Sequence, residues 1–286
     1  MSRILLTADS TCDLSPELVK RYNVTAYMPL HVVLGEKTYD DGVNIKPSEI
    51  YKNFEATGTL PKTAAVNISE YEEFFRKLKT DDDTEIIHVS LGHALSSTCQ
   101  NSATAAELVG GVYTVDSCNL STGSGHIVIE GAKMIAEGKL SAPEIAQRMR
   151  ELTKKSYASF VIDKLDYLRA GGRCSALAML GANLLKIKPS IFVNNEDGSM
   201  TVGKKYRGNL DKVLIQYVDD QLAAYPDIRT DKIFITHAGI GDDHVKVVYD
   251  YLKSMNKFDE IFITTASCTI SSHCGPGTLG ILFMTE

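Results

Sequence analysis

The order of apolar and polar positions along this chain changes period repeatedly. Short apolar runs rich in β-branched residues, at 4–8, 86–91, 112–115, 157–162, 187–193, 233–236 and 261–265, each lead into a polar turn. Most of these turns are followed by Ala, Leu and charged residues at helical spacing, so strand, turn and helix alternate. At roughly 30 residues per unit, the alternation is that of α/β proteins whose parallel sheets are flanked by helices. The run at 24–34 accommodates one long strand or two short ones. Helix starts are marked by Ser15-Pro16, by Pro47, by Ser69-Glu-Tyr-Glu72 and by Ser141-Ala-Pro-Glu144, the last two at capping-box spacing. Gly58 and Gly138 mark helix ends, and 61–66 is predicted as a loop. Helices are expected over 209–224 and 242–255. Asn194-Asn-Glu-Asp-Gly198, between two strand runs, is a hairpin signal. Residues 176–185 predict an apolar helix whose Leu177, Leu180, Leu184 and Leu185 either pack a core or line a lipid cavity.

A chain of 286 residues with 44% hydrophobic content can build two ordinary cores. Lys154 and Lys155, at a predicted helix end, place the boundary between a domain at 1–155 and one at 156–286. A net charge of −6, with no dense cluster of Lys and Arg, argues against nucleic acid as a partner. No apolar run approaches the length of a membrane span, and the run at the amino end is too short for a signal sequence, so a cytoplasmic protein is expected. The six cysteines include no C-x-x-C pair, which implies reduced thiols and neither a disulfide framework nor a zinc site.

Candidate chemistry gathers at turns. Beyond Gly92, the hydroxyls of Ser96, Ser97 and Thr98 stand where a helix begins, where free amides and the helix dipole attract an anion; the same residues also serve as ordinary caps. Asp9-Ser-Thr-Cys-Asp13 follows the first strand, where α/β ligands collect, and its aspartates equally suit turn hydrogen bonds. Thr63 lies in a segment with few charges. Ser121-Thr-Gly-Ser-Gly125 is glycine-rich but has neither a P-loop lysine nor G-x-G-x-x-G, so nucleotide binding has little behind it. The cations of Gly203-Lys-Lys-Tyr-Arg-Gly208 form either a solvated rim or a face for an acidic partner. Ser271-Ser-His-Cys-Gly-Pro-Gly-Thr-Leu-Gly280 brings backbone close to something beside His273.

Taken together, Asp9-Ser-Thr-Cys-Asp13, Pro61-Lys-Thr63, Leu95-Ser-Ser-Thr98 with Gln100, Leu165-Asp-Tyr-Leu-Arg-Ala-Gly-Gly-Arg173, Lys204 to Gly208 and His273 to Gly280 resemble the DegV family of bacterial fatty-acid-binding proteins. The resemblance spans essentially the whole chain. It implies two α/β domains with the ligand site between them, one long-chain fatty acid bound without a cofactor, and a carboxylate presented to a separate ATP-dependent fatty acid kinase for phospholipid synthesis. By the same resemblance Thr63, Ser96 and its neighbour Ser97, and His273 belong to the carboxylate site, and Arg207 to the work with the kinase. Ala64, Ser97, Cys99 and Cys274 stand where the family commonly has Ser, Gly, Tyr and Thr, so a rearranged head-group network is expected. The rival expectation is a serine hydrolase or acyl transferase using Ser96 and His273. It lacks the Gly-x-Ser-x-Gly elbow, since Ala94 and Thr98 flank Ser96, and no Asp is marked to orient the histidine.

Overall fold

The computed structural model describes residues 3–175 and 187–286; the predicted apolar helix at 176–185, with Leu177, Leu180, Leu184 and Leu185, lies outside them. In chain order the first half gives β1 (Arg3–Asp9), a 3-10 turn (Ser10–Cys12), α1 (Pro16–Arg21), β2 (Ala26–Met28), β3 (His31–Leu34), β4 (Lys37–Asp40), α2 (Pro47–Thr57), β5 (Lys62–Ala64), α3 (Ile68–Leu78), β6 (Thr84–Ser90), α4 (Thr98–Val109), β7 (Val112–Asp116), α5 (Ser121–Glu137) and α6 (Ala142–Leu152). The second half gives β8 (Ser156–Val161), α7 (Asp166–Gly171), β9 (Ile187–Val193), β10 (Met200–Arg207), α8 (Leu210–Ala224), β11 (Lys232–Ala238), α9 (Asp242–Ser254), β12 (Glu260–Thr265), α10 (Cys268–Cys274) and β13 (Thr278–Met284).

These elements make three sheets in two α/β domains. The first sheet, ordered β2-β1-β6-β7, is parallel throughout. A six-stranded sheet, ordered β10-β9-β8-β13-β11-β12, is antiparallel except for the β11–β12 pair. The expected parallel architecture therefore holds for only part of the molecule. The difference comes mainly from β13, which runs between β8 and β11 and is buried at every position, so its residues show no alternation to announce a strand. A small antiparallel sheet, β4-β3-β5, completes the set. Within it Lys62–Ala64 pairs with β3, so Thr63 sits on a three-residue edge strand rather than in a loop. A segment that short carries no readable period.

Two helix starts also differ from expectation. The capping box of α3 is formed by Asn67 and Glu70, two residues before the Ser69 spacing, with Glu70 N donating to Asn67 Oδ1 at 3.0 Å and Asn67 N donating to Glu70 at 2.8 Å. The glycine-rich stretch 121–125 is not a loop but the first turns of α5, which is buried from Ser121 to Ile129. A Cβ on Gly123 would lie 2.2 Å from the Asn119 side chain, and one on Gly125 would lie 2.8 Å from the Cys12 carbonyl oxygen. These glycines let a helix sit between two sheets; no phosphate cradle is needed to explain them. On one side α5 packs against β1 and β6, and on the other against β8, β11 and β13, with apolar residues from all of them in one continuous core.

Buried aspartates tie the loops at the strand ends. Asp9 accepts from Tyr71 Oη at 2.5 Å, lies 3.1 Å from His88 Nε2 and accepts from Leu91 N at 2.8 Å. Asp41 accepts from Cys268 N and Thr269 N, at 2.7 and 2.9 Å, at the start of α10. Asp13 accepts from Ser121 Oγ at 2.6 Å and from Ser267 N at 2.9 Å. Asp9 and Asp13 thus neither cap nor close their own turn but hold segments far along the chain, and neither lines the cavity described below.

Burial raises the Asp13 carboxyl to about 7, against the lowering effect of Ser121 and Ser267. The folded state therefore keeps a proton that the unfolded chain releases near pH 4. Between about pH 4 and 7 this group makes stability fall as pH rises, by up to about 1.4 kcal/mol per pH unit. Thermal melts from pH 4 to 8 are expected to show the parent losing stability relative to Asp13→Asn across that window, then running parallel to it. A difference independent of pH would mean that Asp13 titrates as it does in the unfolded chain.

Candidate functional site

Where the two domains meet, a cavity of about 300 Å³ opens between the sheets. Its walls are mainly apolar, with Leu30, Leu95 and Leu120 on one side and Phe160, Met200 and Leu282 on the other. Thr63, Ser96, Ser97, His273 and Arg173 also line it, so the structure brings all four sequence-expected carboxylate residues to one cavity. Arg207, at the end of β10, is exposed and does not belong to the lining.

Each polar residue is placed by local chemistry. Thr63 is paired with the fully buried Val32 of β3. Its Oγ1 lies 2.8 Å from His273 Nε2, joining the small sheet to α10. His273 is in turn positioned by a missing side chain: a Cβ on Gly171 would fall 2.3 Å from His273 Nδ1. The neighbouring Gly172 adopts φ +66°, closing α7 in the left-handed conformation that glycine tolerates. The double glycine thus has two jobs, one for the imidazole and one for the helix end.

Ser96 comes from the loop after β6. Asp9 holds Leu91 N, and Gly92 N donates to Asn119 O at 2.8 Å. A Cβ on Gly92 would lie 2.9 Å from Asn119 N, so this glycine serves close approach rather than the simple bend its position suggests. Ser96 Oγ donates to Thr98 Oγ1 at 2.9 Å and accepts from Thr98 N at 3.2 Å, opening α4. Ser97, at the N-cap position, makes no capping bond with its side chain and is exposed on the lining. The local side-chain bond at this helix start is thus made by Ser96 and not by the N-cap residue Ser97.

Arg173 was quoted in a motif but given no role by sequence reasoning. Its Nε donates to Leu95 O at 3.3 Å and its Nη1 to Gly171 O at 2.7 Å, which links the Ser96 loop to the end of α7. A guanidinium has five N–H donors, so others remain for a ligand. The signal available was an arginine directly after a conformationally special double glycine. Desolvation, followed by the Arg173 charge, lowers His273 to about 4, which makes the imidazole neutral near pH 7 and leaves Arg173 as the cation of this group.

Of the family departures, Ala64 and Cys274 line the cavity, whereas Cys99 is buried outside it. Burial pushes the Cys274 thiol up to about 12, so it stays protonated and unreactive. The hydrolase constellation does not assemble. His273 Nε2 engages Thr63 rather than Ser96, and His273 Nδ1 has no hydrogen-bond partner to orient the ring. Among the described residues, the group of potential metal ligands within mutual reach is His93, Asp116 and Cys118, with ligand atoms inside 4.8 Å. It lies outside the cavity lining, and its His93 Nδ1–Asp116 contact at 2.6 Å is a hydrogen bond near the surface. None of the described helices is long and apolar enough to cross a membrane.

Comparison with known proteins places this geometry. The model of the DegV family, described as uncharacterised proteins, matches residues 3–286. A DegV domain-containing protein of Caldanaerobacter subterraneus subsp. tengcongensis is 29% identical, with 99% of each chain covered. A DegV family protein from Thermus thermophilus, described for its fatty acid binding, superposes with a TM-score of 0.88 at 26% identity, covering 99% of this chain and 100% of that one. DegV from Bacillus subtilis, described as a fatty acid binding protein, shares the fold with a TM-score of 0.85 at 24% identity over the full length of both chains. A family match that runs through both domains and every motif of the cavity leaves one assignment: the chain belongs to the DegV family.

Proposed function

We propose that this protein binds a long-chain fatty acid and carries out no chemical step on it. The carboxylate lies against Thr63, Ser96, Ser97, His273 and Arg173, and the tail occupies the apolar part of the cavity. The observation that carries this reading is the cavity's two-part lining: aliphatic and aromatic walls, with one group of hydroxyls, an imidazole and a guanidinium. The likeness to the fatty-acid-binding protein from Thermus thermophilus supports it. Burying the tail contributes roughly 0.8 kcal/mol per CH₂ and dominates affinity, while the polar group sets orientation. A neutral His273 donates one hydrogen bond without competing for charge, and Arg173 supplies the countercharge.

The bound acid, of the palmitate class, is then presented in the cytoplasm to a separate ATP-dependent fatty acid kinase, and the acyl phosphate feeds phospholipid synthesis. The exposed cations on β10, Arg207 among them, offer that partner a face. The division between the domains is set near residue 155, between α6 and β8.

Native mass spectrometry of protein purified from a bacterial host is expected to show one retained long-chain acid; protein that is empty and does not take up palmitate would remove the proposal. Thr63→Val and Ser96→Ala should each weaken palmitate binding by roughly tenfold or more, since a hydrogen bond to a carboxylate contributes about 1.5–3 kcal/mol. Folding should survive both.

Gly171→Ala tests how the site is held. Its Cβ would displace the imidazole, so calorimetry should give a loss of palmitate affinity close to that of His273→Ala. Parental affinity in the Gly171 variant would mean that the ring position does not matter.

For the kinase, Arg207→Ala and Arg207→Lys should both slow phosphorylation of bound acid and leave acid binding unchanged, because an ammonium cannot reproduce the two-pronged grip of a guanidinium. Normal phosphorylation with Arg207→Ala would take this residue out of the mechanism.

A further inference from the structure

One cysteine differs from the other five. Cys12, Cys99, Cys174, Cys268 and Cys274 are buried, whereas Cys118, just past the end of β7, is only partly so. Its Sγ, His93 Nδ1 and an oxygen of Asp116 all lie within 4.8 Å of one another. β6 and β7 end side by side, with Ser90 opposite Asp116, so the loop after β6 brings His93 to the residues that close β7. Asp116 Oδ1 accepts from Cys118 N at 2.9 Å and from His93 N at 3.3 Å, which sets Oδ2 at 2.6 Å from His93 Nδ1. The β9–β10 hairpin lies against this group: a Cβ on Gly198 would fall 3.3 Å from the Cys118 carbonyl carbon. Asp197 and Glu196 of that hairpin add negative charge at Cys118, and Glu196 alone of the two has an ion-pair partner, Lys154 at 3.1 Å. A thiol, an imidazole and a carboxylate are the donor set of zinc-class ions, and sulfur does not suit Ca²⁺ or Mg²⁺. No C-x-x-C spacing announces such a set, because it holds a single cysteine.

We propose that His93, Asp116 and Cys118 form a binding site for a divalent cation of the zinc class. The ion takes His93 Nδ1, one Asp116 oxygen and Cys118 Sγ, and water or the Asp197 carboxylate fills the fourth position. Tetrahedral ligands at zinc bond lengths stand roughly 3.5 Å apart, so an exposed imidazole and a partly exposed thiol need move by only about 1 Å. His93 binds as the neutral imidazole with its proton on Nε2, and the thiol gives its proton to solvent, so one proton leaves for each ion bound. An ion held there joins the loop that carries Ser96 to the end of β7. The site stands apart from the cavity, and the inference does not depend on what the cavity binds.

The test uses the tag-free full chain, kept reduced and freed of metal, with each variant first checked by thermal melt. Titration of the parent with Co²⁺ should give a thiolate-to-cobalt absorption band in the near ultraviolet that saturates at one equivalent, and Zn²⁺ should displace it while Mg²⁺ should not. Cys118→Ser should abolish the band. His93→Ala should weaken Zn²⁺ binding, read by calorimetry, by roughly tenfold or more. Zn²⁺ should also raise the melting temperature of the parent and leave that of Cys118→Ser where it was. His93 is exposed, so His93→Ala carries the comparison if the serine variant does not fold. A parent that shows no band, or a band and Zn²⁺ binding that persist in both variants, would overturn the inference and leave fatty-acid binding intact.

Discussion

The structure depends on buried aspartates whose oxygens are taken up by backbone amides and side-chain donors from segments far along the chain. Asp9 holds Leu91 N at the root of the Ser96 loop, Asp13 holds Ser267 N, and Asp41 holds the first two amides of α10. Isolated carboxylates in such surroundings would be costly, and hydrogen bonds from amides at a helix start offset much of that cost. These aspartates come from the β1 end and the β4 end, while the amides they hold belong to segments far along the chain. The bonds fix the loops that carry the polar part of the cavity relative to one another. Site geometry is therefore a property of the frame, and the ligand-facing residues need make only a few bonds among themselves.

Glycines act in the same service by absence. Gly123 and Gly125 allow α5 to lie between the parallel sheet and the six-stranded sheet, Gly92 brings the Ser96 loop against Asn119, and Gly171 leaves the imidazole its place. Gly92, Gly125 and Gly171 remove a Cβ from contacts between segments distant in sequence and Gly123 from a local one with Asn119, so the cavity and its polar cluster are shaped as much by missing atoms as by present ones.

Much of this was legible in the sequence because it was local. Strong periodic runs gave most strands, Ser15-Pro16 and Ser141 to Glu144 gave true helix starts, and Asn194 to Gly198 gave its hairpin. The residues of the cavity were found by resemblance across several motifs, not by any single one. What stayed hidden was long-range. Thr63 is on a strand only because β3 lies beside it, and Arg173 joins the lining only because the Ser96 loop folds back to it. The glycine-rich run at 121–125 read as a turn before the helix because glycine required by crowding and glycine required by a turn look alike in one dimension. β13 escaped because a strand covered on both faces has no alternation to read.

That same β13 imposes an order of assembly. It is the last strand along the chain, yet it separates β8 from β11 and supplies Gly280 and Leu282 to the cavity. During synthesis the parallel sheet has all its strands early, whereas β8 and β11 lack the partner that lies between them until β13 emerges. The cavity is closed last, by long-range pairing of the slow kind. A nascent or carboxyl-truncated chain can thus hold a formed amino-terminal half beside an open apolar seam, and for that interval its protection falls to whatever shields hydrophobic surface on newly made chains.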